Sequence, residues 1–115
     1  MESSAVTISR AGPATVVSPL GDHDLSTAPE LAGALESGVD GPVVIDLTET
    51  SFIDSSILGV ILTARSRADE RGHLFVCVVD PAAAPSVARI FELTGLNSTF
   101  VITDSRDRAI ELAGA

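Results

Sequence analysis

The chain has 115 residues, 45% of them hydrophobic and 20% charged, a length suited to one compact core and a balance that excludes disordered, collagen-like and coiled-coil chains. Sixteen Asp and Glu against seven Lys and Arg leave a formal net charge of −9, and no basic patch is visible that would suit phosphate backbones or anionic membrane surfaces. Four Phe are the only aromatic residues and Cys77 is the only cysteine, which excludes Tyr or Trp stacking platforms, an intrachain disulfide and an all-cysteine metal site.

Met1-Glu2-Ser3-Ser4 has no basic segment leading into an apolar run, and no stretch nears the roughly 18 apolar residues of a membrane span, so a reducing cytoplasm is the expected location. Val6-Thr7-Ile8-Ser9 alternates apolar and polar, Thr15-Val16-Val17-Ser18 is β-branched, and Ala11-Gly12-Pro13 between them is turn material, which predicts a hairpin. Thr27-Ala28-Pro29-Glu30 fits a capping box, and Leu31, Ala34 and Leu35 continue at helical spacing up to Gly38. Pro42-Val43-Val44-Ile45-Asp46-Leu47 is an unbroken apolar run, the pattern of a strand covered on both faces.

From Ser56 to Ala68 the apolar positions outline a helix that stops at Gly72. Leu74 to Val79 is a further buried strand, and Asp80-Pro81 opens a helix with Val87, Ile90 and Phe91 on one face. Gly95-Leu96 is the pattern of a left-handed cap. Thr99 to Ile102 is a short strand, and Ser105 caps a final helix carrying Ala109, Ile110 and Leu112. The order ββαβαβαβα predicts a single α/β domain over residues 1–115, with a mixed, mostly parallel sheet of four or five strands and about four helices.

Signs of catalysis are absent: there is no glycine-rich phosphate loop, no nucleophile elbow, and no motif that joins His23 to His73. No catalytic residue, cofactor or metal is expected. Asp22-His23-Asp24 is taken as solvated turn residues, because consecutive loop positions cannot all face one ion. Cys77, mid-strand among Phe75, Val76, Val78 and Val79, is expected to be a small buried hydrophobe.

The informative segment is Ser51-Phe52-Ile53-Asp54-Ser55-Ser56-Ile57-Leu58-Gly59. It sets two hydroxyls and a carboxylate at a helix N-terminus, where N–H groups and the helix dipole favour negative charge. On the residues alone the preferred reading is an N-cap. The same geometry permits a serine that accepts a phosphoryl group. Periodicity does not choose between them.

Phe52-Ile53-Asp54-Ser55-Ser56 followed by Leu58-Gly59-Val60-Ile61-Leu62 resembles the phosphorylation-site signature of bacterial anti-sigma factor antagonists of the STAS domain family. Leu20-Gly21-Asp22-His23-Asp24 is similar to that family's Gly-Glu-x-Asp turn, Val43 to Leu47 to its central strand, and Thr94-Gly95-Leu96 to its Thr/Ser-Gly-Leu helix end. The resemblance runs from about Val6 to Leu112. It implies a monomeric, phospho-switched binding module. Such a module engages an anti-sigma factor that is also a serine kinase, so freeing a sigma factor, and is released when it is phosphorylated.

Carried onto this chain, the acceptor is Ser55, Asp54 orients the site, Ser56 caps the helix, and Asp24, Asp54, Ser55, Ser56 and Ile57 form the partner surface. Ile57 departs from the family, which usually has Gly there, and is expected to narrow the kinase's approach. A second class stays open: a STAS accessory subunit, for example of a lipid-transport ATPase or other signalling complex, in which Ser55 and Ser56 only cap the helix.

Overall fold

A computed structural model describes residues 5–38 and 40–114; Met1–Ser4, read above for a leader, lie outside them. Ten elements follow in order: β1 (Ala5–Ala11), β2 (Ala14–His23), α1 (Ala28–Glu36), β3 (Val43–Asp46), β4 (Thr50–Ile53), α2 (Ser55–Glu70), β5 (Phe75–Val78), α3 (Pro85–Leu93), β6 (Val101–Thr103) and α4 (Arg106–Gly114). A 3-10 turn at Leu96–Ser98 follows the left-handed Gly95, φ 75°. The α/β class is as expected, and the order gains one strand, ββαββαβαβα.

The sheet runs β1-β2-β3-β5-β6, with β4 paired to β2 off this path. Only β1 and β2 are antiparallel. Their turn places Gly12 at φ 59° before Pro13, and since proline cannot take positive φ the two-residue loop is of the II′ kind, whose twist suits a hairpin. The other pairings are parallel, and each encloses a helix.

Both sheet faces are covered, which explains why the inner strands are continuously apolar. Val17, Val43, Ile45, Phe75 and Cys77 point to the face packed by α1, α2 and α3. Their neighbours Val16, Val44, Val76 and Val78 meet Ala109 and Ala113 of α4 on the other. Burial pushes the Cys77 thiol well up, so it stays protonated and inert. Arg106 ties α4 to the sheet: its guanidinium lies 3.3 Å from the buried Asp46 carboxylate and also reaches Ser9 and Ser18.

Two predicted boundaries shift markedly, and one strand was not predicted. β2 does not end near Ser18 but runs on through Pro19 to His23, and its far end pairs with β4. β4 escapes the sequence pattern because its burial is in-out-out-in over four residues, with no alternation to follow. Thr50 anchors it, its buried hydroxyl donating to Pro19 O at 2.6 Å. The other boundary that shifts is that of α3, which starts at Pro85 rather than at Asp80-Pro81, because the Asp80 carboxylate accepts from Ala82 N at 3.0 Å and holds a turn there.

Candidate functional site

The pairing of β2 with β4 builds the site. Its register sets His23 opposite Ile53, so the next residues, Asp24 and Asp54, leave the sheet side by side. Each then leads into a helix, α1 and α2 respectively.

Asp54 is the N-cap of α2, with extended backbone (φ −111°, ψ −174°). Its Oδ1 accepts from Ser56 N at 3.0 Å, from Ile57 N at 3.2 Å and from the Ser56 hydroxyl. The cap is therefore Asp54 and not Ser56, whose hydroxyl donates to the cap. The Ser56 hydroxyl above all, helped by the backbone N–H groups of Ile57 and Ser56, holds the Asp54 carboxyl below its ordinary value although desolvation opposes it.

Asp24 is built in the same way. Its Oδ1 accepts from the Ser26 hydroxyl at 2.6 Å and from Ser26 N at 2.9 Å, and these bonds lower its pKa although the Asp54 charge opposes them. Both carboxylates are ionised at neutral pH and feel each other, a local charge of −2.

His23 corrects the sequence reading. Rather than lying solvated in a turn it is fully buried, with Nε2 3.1 Å from Leu20 O and Nδ1 3.0 Å from Thr27 Oγ1. A carbonyl only accepts, so Nε2 carries a proton and donates to it, while Nδ1 pairs with the Thr27 hydroxyl, which also lies 3.1 Å from Asp24 O. Thr27 in turn accepts from Asp24 N at 3.1 Å and makes no side-chain cap bond to α1; the capping box predicted there does not form. His23 and Thr27 brace the turn that presents Asp24. His23 closes β2 and faces inward between the exposed Asp22 and Asp24.

Ser55 is the first residue of α2, exposed, and its hydroxyl makes no hydrogen bond among the described residues. Three first-turn N–H groups beside it are already bonded to Asp54: Ser56 and Ile57 to the carboxylate, Leu58 to the carbonyl at 3.2 Å. A dianion on Ser55 would thus meet the helix dipole but few free donors. Ile57 has no exposed surface; its side chain lies in the core and can neither touch a partner nor narrow an approach to Ser55. Leu25, which sequence reasoning did not single out, stands 73% exposed beside Asp24, an apolar anchor of the kind protein interfaces use.

Among the described residues no cluster of His, Cys, Asp and Glu could hold a metal ion, and no helix is long and apolar enough to cross a membrane. A family model described as "Mlab, STAS domain" matches residues 6–103. A Bordetella bronchiseptica protein named anti-sigma factor antagonist BtrV is 33% identical over 81 residues, 70% of this chain; the matched span takes up 66% of that protein, just under two thirds of its length. The crystal structure of an anti-sigma factor antagonist from Mycobacterium paratuberculosis superposes with a TM-score of 0.80 at 28% identity, covering 97% of this chain and 95% of the other. The Bacillus cell fate determinant SpoIIAA in its phosphorylated form shares the fold, with a TM-score of 0.69 at 15% identity over 94% and 98% of the two chains.

Proposed function

The chain belongs to the STAS domain family, and from that premise we propose that it is an anti-sigma factor antagonist switched by phosphorylation at Ser55. It acts in the cytoplasm as a monomeric binding module and catalyses nothing itself. Its partner is an anti-sigma factor that is also a serine kinase, docking on Asp24, Leu25, Asp54 and Ser55. One observation carries the reading: of the two adjacent serines, Ser56 is tied to the Asp54 cap while Ser55 projects an unbonded hydroxyl from the helix end, beside two ionised carboxylates. The accessory-subunit reading, in which both serines only cap the helix, has less support, because the capping is done by Asp54.

The switch works by charge. A phosphoserine adds about −1.5 to −2 charges where Asp24 and Asp54 already stand. With the nearby N–H groups taken by Asp54, the domain relies on the helix dipole and on solvent to tolerate it. A docked partner loses solvent at that surface, and a desolvated like-charge contact costs several kcal/mol, enough to weaken a complex by orders of magnitude.

The test is incubation with ATP and kinase-type anti-sigma factors, read by intact mass, phosphopeptide mapping and binding. Ser55→Ala is expected to bind constitutively, Ser55→Asp to bind poorly with a native circular dichroism spectrum, and Ser56→Ala still to be phosphorylated. Label on Ser56, or tight binding by Ser55→Asp, would show that Ser55 is not the switch.

A further inference from the structure

Between α1 and α2 runs a groove of about 500 Å³, within the roughly 300–1,000 Å³ of small-molecule sites. Its lining is small and apolar where the helices face each other, with Ala28, Ala32, Gly59 and Ala64 contributing. A Cβ built on Gly59 would meet nothing within 4 Å, so the open space is real at that position. The groove's charged lining residues are Glu36, Arg67 and Arg71. Arg67 lies 2.8 Å and Arg71 3.8 Å from the Glu36 carboxylate: two guanidiniums share one carboxylate and leave one positive charge over, in a chain whose net charge is −9.

That local inversion of sign selects the occupant. We propose that the α1–α2 groove binds a single-chain anionic amphiphile of the fatty-acid class, its carboxylate on Arg67 and Arg71 and its tail along the Gly59 and Ala32 surfaces. A guanidinium has five donors and can serve Glu36 and a ligand carboxylate together. The tail gains by leaving water against the aliphatic lining. A second copy of the chain fits less well, because its own large negative charge would be brought against this one. The site goes beyond the proposed switch and stands or falls without it, since no part of the argument uses phosphorylation.

The probe is decanoate, kept below its micelle-forming concentration and titrated into the unmodified protein by calorimetry, with 1-decanol as the neutral counterpart. Saturable one-site binding of decanoate is expected, with decanol about tenfold weaker or worse. Arg67→Gln combined with Arg71→Gln should reduce decanoate affinity by about tenfold. Gly59→Leu and Ala32→Leu, both groove fillers on exposed helix positions, should each abolish binding while the circular dichroism spectrum stays native. The proposal is overturned by the absence of saturable binding, by equal affinity for decanol, or by undiminished binding in both fillers. Sedimentation showing a dimer that Gly59→Leu splits into monomers would likewise overturn it, by assigning the groove to self-association.

Discussion

Replacing Ile57 by Gly separates two views of this residue, because the family usually has Gly there while the structure makes Ile57 part of the core. The side chain is wholly buried in the cluster that includes Ile53 and Ile61. Truncating such an Ile to Ala costs about 2–5 kcal/mol, and going on to Gly near the start of a helix adds up to about 1 kcal/mol. The sum, roughly 2–6 kcal/mol, is a large share of the about 5–15 kcal/mol that stabilises a typical domain. Urea denaturation followed by circular dichroism measures it, with unchanged slope as the check that only stability moved. Ile57→Val, at about 0.5–1.5 kcal/mol, and Ile57→Ala should fall in order between parent and Gly. Phosphorylation of whatever Ile57→Gly remains folded should be no faster than that of the parent. A loss under about 1 kcal/mol, against the core-truncation range, or a faster rate in the folded variant, would refute the reasoning and return Ile57 to the surface.

Three further outcomes are expected. His23→Leu should cost about 1–3 kcal/mol by leaving the Leu20 carbonyl without its donor and should loosen the Asp24 turn; hydrogen exchange at Asp24 N that matches the parent would contradict the brace. Arg106→Gln should cost about 1–3 kcal/mol, below the range for a fully buried pair because the arginine is partly exposed, and Asp46→Asn in the same background should recover part of it; no recovery would mean the pair is idle. Asp24 and Asp54 have depressed folded pKa values, so their contribution is present above the ordinary carboxylate value of 3.8 and is lost as pH falls through the folded values. Asp54→Asn should flatten the acid limb of melting temperature against pH, and a limb parallel to the parent's would count against the cap's electrostatic role.

How far the sequence revealed the molecule depends on where each residue's signal resides. Val43–Asp46 and Phe75–Val78 were legible because a strand covered on both faces needs apolar side chains at nearly every position, Asp46 being the exception that Arg106 pairs, and that pattern is local. β4 was not, because what makes Thr50–Ile53 a strand is its pairing with the far end of β2, which no local pattern records. The same pairing hid His23: a histidine between two aspartates looks wet until Ile53 is set opposite it. The Asp-Ser-Ser segment was legible as a helix start, yet which residue caps and which stays free depends on Oδ1 of Asp54 reaching Ser56 and Ile57. Ile57 was misjudged because a family position was taken for a surface position.

β2 is hydrogen-bonded to β1, β3 and β4, and this sets the order in which the chain can assemble. The hairpin with β1 closes through two residues, so it can form on the microsecond scale. Every parallel ladder must first close a loop containing a helix, at an entropic cost met before the ladder returns any hydrogen bond. Such non-local pairing slows folding towards milliseconds or longer. Because three ladders share β2, the nascent chain holds a ready hairpin with an unpaired inner edge until α1 and β3 arrive, and that waiting edge is where two unfinished molecules would most readily join.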